Sequence, residues 1–191
     1  MNWMAERMAE NALKVIKTVT IIKTIILPVS PEITKKKLNY IEKLSARVTY
    51  AVSLYLDILI KNDIITLSEA NKYQEVVAKK TGLSSAFVQC ARDRALEIYK
   101  SYKKLHREWL KKAKRLEKAV EKAKGNKSKV RKLKKKLGRL KEREPSLPTV
   151  KRKQPIFFDK RIGSIEFSNC KKFKVWAKIS TLKRYETIYI P

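Results

Sequence analysis

The chain is short of acids. Its 191 residues carry 18 Asp plus Glu against 47 Lys plus Arg, a formal net charge of +29. A compact domain with so few counter-charges repels itself unless its partner is a polyanion. The imbalance counts against a self-contained small-molecule enzyme and for a protein that binds nucleic acid, a bias shared with ribosomal and chromatin proteins. Glycine is scarce at four residues, which argues against Gly-rich phosphate loops and for long helices. Only three positions are Gln while Lys abounds, a balance that suits a thermophilic source. Metal ligands are few: His106 is the one histidine, and Cys90 and Cys170 form no CxxC pair. A structural zinc site needs about four Cys or His ligands, so neither metal nor cofactor is expected. Two unrelated reduced thiols fit a cytosolic protein.

Long apolar runs are also missing. Residues 15–27 come closest, but Lys17, Lys23 and the threonines Thr18, Thr20 and Thr24 interrupt them, so no membrane span is expected. Glu6 and Glu10 break any apolar leader region in the first fourteen residues. The expected location is cytoplasmic. Hydrophobic residues still make up 43% of the chain, enough for one or two cores and too many for a disordered basic tail.

The positive charge is unevenly spread. Residues 1–99 hold 15 basic and 10 acidic side chains (+5), residues 100–144 hold 21 and 5 (+16), and residues 145–191 hold 11 and 3 (+8). The partner's footprint is therefore expected on 100–144. Residues 15–27 are rich in Val, Ile and Thr and read as a strand. Ser30–Pro31–Glu32 reads as a helix start, with Leu38, Ile41, Leu44, Val48, Val52, Tyr55 and Leu59 at helical spacing after it. A second helix is expected from Ser68 to Lys80, stopping at Gly82. Ser84 caps a third and longer one, with a stripe running from Phe87 through Tyr102, Leu105 and Trp109 to Val120. Gly125–Asn126 interrupts it, and 127–143 resume with Val130, Leu133, Leu137 and Leu140. That pattern makes an antiparallel hairpin.

Pro145 and Pro148 end the helical part. Short strands are expected at 149–151, 156–158, 164–167, 173–179 and 186–190. A lone amino-terminal strand is not stable, so it must pair with these. The expected class is α+β: a small antiparallel, barrel-like β domain interrupted by a long helical insertion. Its parts are an extension at 1–14, a first β part at 15–30, a helical lobe at 31–144 and a second β part at 145–191.

Two basic constellations stand out. Lys132, Lys134, Lys135, Lys136, Arg139, Lys141 and Arg143 surround their helix except along the leucine seam. They suit phosphate-backbone contact, which is sequence-blind and salt-sensitive. Lys151, Arg152 and Lys153 lie on extended chain, followed by Lys160, Arg161, Lys174 and Arg184 among the aromatics Phe157, Phe158, Trp176 and Tyr185. Trp176 falls on the lysine face of its strand, where a base could stack. Catalytic patterns are wanting. His106 has no carboxylate at i±3 or i±4, and Asp159, Glu166 and Glu186 are isolated among basic residues. Metal-dependent phosphodiester cleavage needs converging carboxylates, so the chain itself is not expected to be an enzyme.

Several segments together resemble one family. They are Leu27–Pro28–Val29–Ser30–Pro31–Glu32, then Leu83–Ser84–Ser85–Ala86–Phe87–Val88–Gln89 with residues 92–102, then Leu147–Pro148–Thr149–Val150–Lys151–Arg152–Lys153. In this order they resemble the TnpB (OrfB) proteins of insertion sequences of the 605 type, RNA-guided nucleases related to type V CRISPR effectors. The resemblance spans residues 15–191. It implies a barrel-like wedge domain interrupted by a helical recognition lobe, with guide-type RNA and DNA as partners and Gln89 as a contact to the short motif beside the target. It also implies a RuvC-like nuclease domain with a zinc element after the wedge, and this chain ends before the first of that domain's acids. The expectation is a binding portion: a decayed or split gene, a fragment, or a subunit completed by a second chain. A generic RNA- or ribosome-binding protein is the alternative, and a nuclease with an unrecognised or shared site is a third.

Overall fold

A computed structural model describes residues 33–151, 156, 161–169, 172–182 and 186–190. The expected strand at 15–27, the extension before it and the expected strand residues 157–158 lie outside the described residues. What is described is α+β: five helices, then a small antiparallel sheet.

Helix α1 spans Lys35–Lys61. Its N-cap is Thr34, whose hydroxyl accepts from Lys37 N, so the helix starts later than the Ser30 signal implied. Ser30, Pro31 and Glu32 themselves lie outside the described residues, and Thr34 offers a capping oxygen close to the apolar stripe. Leu44, Val48, Val52, Tyr55 and Leu59 are buried, but Leu38 is 42% exposed because the core begins one turn later. The helix ends in a Schellman motif, with Ile64 N donating to Leu59 O at 2.9 Å and Asp63 N to Ile60 O at 3.4 Å. Its left-handed residue is Asp63, at φ 51°. Asp takes this conformation more readily than most non-glycine residues.

The single helix expected over 68–80 is two. Helix α2 spans Leu67–Asn71 and α3 spans Gln74–Thr81. The start is set by Thr66 as N-cap: its Oγ1 accepts from Glu69 N at 3.4 Å, and its hydroxyl donates to Glu69 Oε2 at 2.5 Å. The break comes after Asn71, whose amide oxygen receives Arg92 Nη1. Gly82 closes α3 at φ 64°, as expected. A Cβ there would meet Arg47 Nη1 at an ordinary 3.6 Å, so the backbone conformation and not lack of room calls for glycine.

Helix α4 runs unbroken over Ser85–Lys122, 38 residues, with Ser84 as N-cap. Helix α5 spans Lys127–Lys141 and is capped by Asn126, whose side chain accepts from Lys129 N at 3.0 Å. The expected hairpin forms. The main core lies where the first turns of α4, through Phe87, Val88, Ala91 and Ala95, pack on α1. Leu105, expected in the stripe, is 57% exposed. There α4 has left the bundle, and the rings next to Leu105 face inward instead.

Strands β1 (Gly163–Phe167), β2 (Val175–Ser180) and β3 (Thr187–Ile190) form one open sheet in the order β1-β2-β3. No strand forms at 149–151, where Pro148 precedes and no partner strand lies alongside among the described residues. Barrel closure is not seen in the described residues. The sheet is joined to the helices by named contacts. Ile162 belongs to the helical core, Leu182 N donates to Tyr40 Oη at 2.6 Å, and Lys37 Nζ donates to Tyr189 O at 2.6 Å.

Two polar groups test this packing. The Tyr55 hydroxyl is buried, finds no hydrogen-bond partner among the described residues and is pushed up to about 12, chiefly by burial. Removing an unsatisfied buried hydroxyl relieves its desolvation cost. Tyr55→Phe should therefore match or exceed wild type in urea melts, while Tyr55→Ala should lose about 3–5 kcal/mol. Asp63 Oδ1 accepts from Lys103 Nζ at 2.8 Å and Tyr99 Oη at 2.6 Å. The hydrogen bond from Lys103, then that from Tyr99, holds its carboxyl below the usual value. The stabilisation is thus present above the unfolded Asp pKa near about 4 and lost as pH falls through the lower folded value. Asp63→Asn should be less stable than wild type at neutral pH, with the gap closing in acid. A gap independent of pH would count against the ion pair.

Candidate nucleic-acid interface

The hairpin begins with an aromatic ladder. Tyr99, Tyr102, His106 and Trp109 recur at helical spacing on α4 and stack in sequence, with centroids 6.2, 5.6 and 5.8 Å apart. His106 does meet a carboxylate: Glu144 Oε1 lies 3.6 Å from Nε2. It comes from beyond α5, which spacing along one helix could not reveal. Trp109 Nε1 donates to Leu140 O at 2.8 Å and ties the two helices together.

Beyond Trp109 the seam narrows to small and aliphatic residues. Ala113 on α4 and Ala123 at its C-cap are buried, and their size lets α5 approach closely. On α5 no residue is fully buried; Val130, Leu133, Leu137 and Leu140 are half-buried. Lys132, Lys134, Lys135, Lys136, Arg139, Lys141 and Arg143 are all exposed, as the sequence pattern placed them. Lys141 lies 3.7 Å from Glu117, a loose exposed pair. Lys127 and Lys129 stand at the positive end of the α5 dipole with no acid in the first turn. Lys132 and Lys136 are like charges at i,i+4 spacing, costing a few tenths of a kcal/mol. A polyanion would relieve both.

The sequence reading missed a second row. On α4, Lys104, Arg107, Lys111, Lys114, Lys118 and Lys122 are exposed and recur every three or four residues, opposite the seam that meets α5. At 1.5 Å per residue the row is roughly 27 Å long. Applying helical period to cations as well as to apolar residues would have found it. No aromatic residue occurs between Trp109 and Ile156. Beyond Trp109 the hairpin can bind phosphates but has no ring on which to stack a base.

The remaining sites fall elsewhere. Gln89 and Arg161, distant in sequence, are brought together: Arg161 Nη1 donates to Gln89 Oε1. Gln89 Nε2 also points to Ser85 Oγ at 3.4 Å, and Ser85 receives Gln74 Nε2 at 2.6 Å. Bidentate reading of adenine needs both ends of an amide, so Gln89 would have to exchange Arg161 for a base. Lys151 is exposed on chain without regular structure, and Lys174 is exposed beside β2. Trp176 is half-buried, its ring edge-on to Phe173 at 5.4 Å with Lys37 Nζ 5.9 Å from its centroid. Arg152, Lys153 and Lys160 lie outside the described residues. Among the described residues no three His, Cys, Asp or Glu side chains are grouped to hold a metal ion, and no helix is long and apolar enough to cross a membrane.

No family model, curated protein or solved structure matches the chain.

The joint between the two hairpin helices can be tested at one atom. Trp109→Phe keeps a ring in the ladder but removes the bond to Leu140 O, which should cost about 1 kcal/mol. Amide exchange should speed up in α5 and stay unchanged in α1. Equal acceleration in both would mean that the hairpin does not open separately.

Proposed function

We propose that this chain is a nucleic-acid-binding module, the amino-terminal portion of a TnpB-like, transposon-associated RNA-guided endonuclease, and that it grips guide-type RNA and target DNA. One observation carries the binding: a hairpin with two rows of exposed cations, placed against helix dipole and against one another, with few acids to pair them. Such a surface is stable in company with phosphates, whose condensed counterions it displaces. The family assignment rests on the ordered sequence segments and on the succession of helical lobe and antiparallel sheet. In this reading the strand-like segment 15–27 completes the sheet into the wedge barrel. The chain binds without cutting, in the cytoplasm, and a RuvC-like domain supplies the catalytic acids, on a second chain if need be. A generic RNA- or ribosome-binding protein is the second reading, favoured by the lack of rings on the hairpin beyond Trp109, which makes contacts there sequence-blind.

Charge reversal tests the grip and RNA sequencing tests the family. Replacing Lys134, Lys135 and Lys136 with Glu should weaken binding and flatten the plot of log affinity against log salt by about 2–3 units, at about 0.7–0.9 per phosphate contact. An unchanged slope would remove α5 from the interface. RNA co-purified with the chain should be dominated by one short transposon-end transcript. A spread of ribosomal RNA would favour the second reading.

A further inference from the structure

The two faces of the sheet differ in chemistry. Ile179 and Ile190 share one face and are 5% and 6% exposed. The other carries Trp176 and Lys178 from β2, and Tyr189, which stands opposite Lys178 in register. Tyr189 is 38% exposed, so its ring fills no core position. Each ring has a lysine against it: Lys37 Nζ is 5.9 Å from the Trp176 centroid, and Lys178 Nζ is 5.6 Å from that of Tyr189. Lys37 also donates to Tyr189 O, which ties α1 to β3.

We propose that this face is a stacking platform for unpaired nucleotides, with Trp176 and Tyr189 as the rings and Lys37 as the phosphate contact. The proposal rests on the nucleic-acid-binding reading above and adds a division of labour: backbone contact on the hairpin, base contact on the sheet. Geometry favours single strands. Diagonal neighbours on adjacent antiparallel strands are about 7–8 Å apart, roughly twice the ~3.4 Å spacing of bases along a stacked strand. Bases held in a duplex cannot splay to that spacing, whereas an unpaired strand can. Glu166 stands opposite Trp176 and holds Lys178 Nζ at 3.0 Å. It sets the limit of the platform on the β1 side, where its carboxylate repels phosphate.

Oligo-dT, oligo-U and a blunt duplex of equal phosphate number provide the test. Oligo-dT or oligo-U should quench tryptophan emission in the full chain more than the duplex does, and Trp176→Phe, which keeps a ring in place and leaves Trp3 and Trp109, should abolish that excess quench. Tyr189→Ser should lower single-strand affinity about tenfold and leave duplex affinity unchanged, the loss expected for one stacked base. Comparing dT with U tells DNA from RNA on the same rings. Excess quenching that survives Trp176→Phe, or a Tyr189→Ser loss equal on single strand and duplex, would overturn the platform while leaving the hairpin reading intact. Salt-insensitive binding, or none, to all three probes would overturn both.

Discussion

Everything else in the molecule hangs on the packing of α1 against the first turns of α4. Tyr55 and Phe87 are the largest side chains buried there, with Leu44, Leu56 and Leu59 around them. Each such apolar side chain contributes about 1.5–3 kcal/mol when fully buried. Because α4 is 38 residues long, or about 57 Å, a bundle of this size covers only its first part. The rest must project. A projecting helix with one apolar stripe needs a partner, and α5 folds back to supply it.

That constraint explains why the charge is where it is. Near the core, cations are satisfied locally: Arg92 is buried and donates to Asp93 and Asn71, and Lys103 meets Asp63. Along the projecting hairpin the interior is only one seam wide, so most side chains have nowhere to go but outward. Filling those positions with Lys and Arg costs little in packing and gives a rod with a strong field. Long lysine stems also cover the narrow seam from water.

The sheet is the counterpart of the hairpin. Its apolar face is buried at one end through Ile179 and Ile190, while Phe167, at 84%, and Ile165, at 47%, remain exposed at the other. Its polar face carries rings, which the hairpin lacks beyond Trp109. Lys37, Tyr40 and Arg161 cross between helices and sheet and hold the two chemistries on one scaffold.

Much of the helical part was legible because its signals are local. Gly82 and Asn126 act within a turn of themselves, Ser84 marks a helix start although its side chain makes no capping bond, and a stripe at helical spacing needs no knowledge of its partner. The density of lysines on α5 was equally plain, since charge is a property of composition. Other features depend on residues far apart in the chain. The break after Asn71 accompanies its contact with Arg92, and the His106–Glu144 pair exists because α5 folds back. Gln89 meets Arg161 because the sheet docks on the core. Tyr189 joins Trp176 only through strand register, which sets the partners of a strand across a distance that no sequence window spans. The sequence by itself determined most of the helices and the distribution of charge, which are short-range or additive properties. The tertiary structure alone decided which rings and cations share a face, because that depends on pairing between segments whose order along the chain says nothing of their distance.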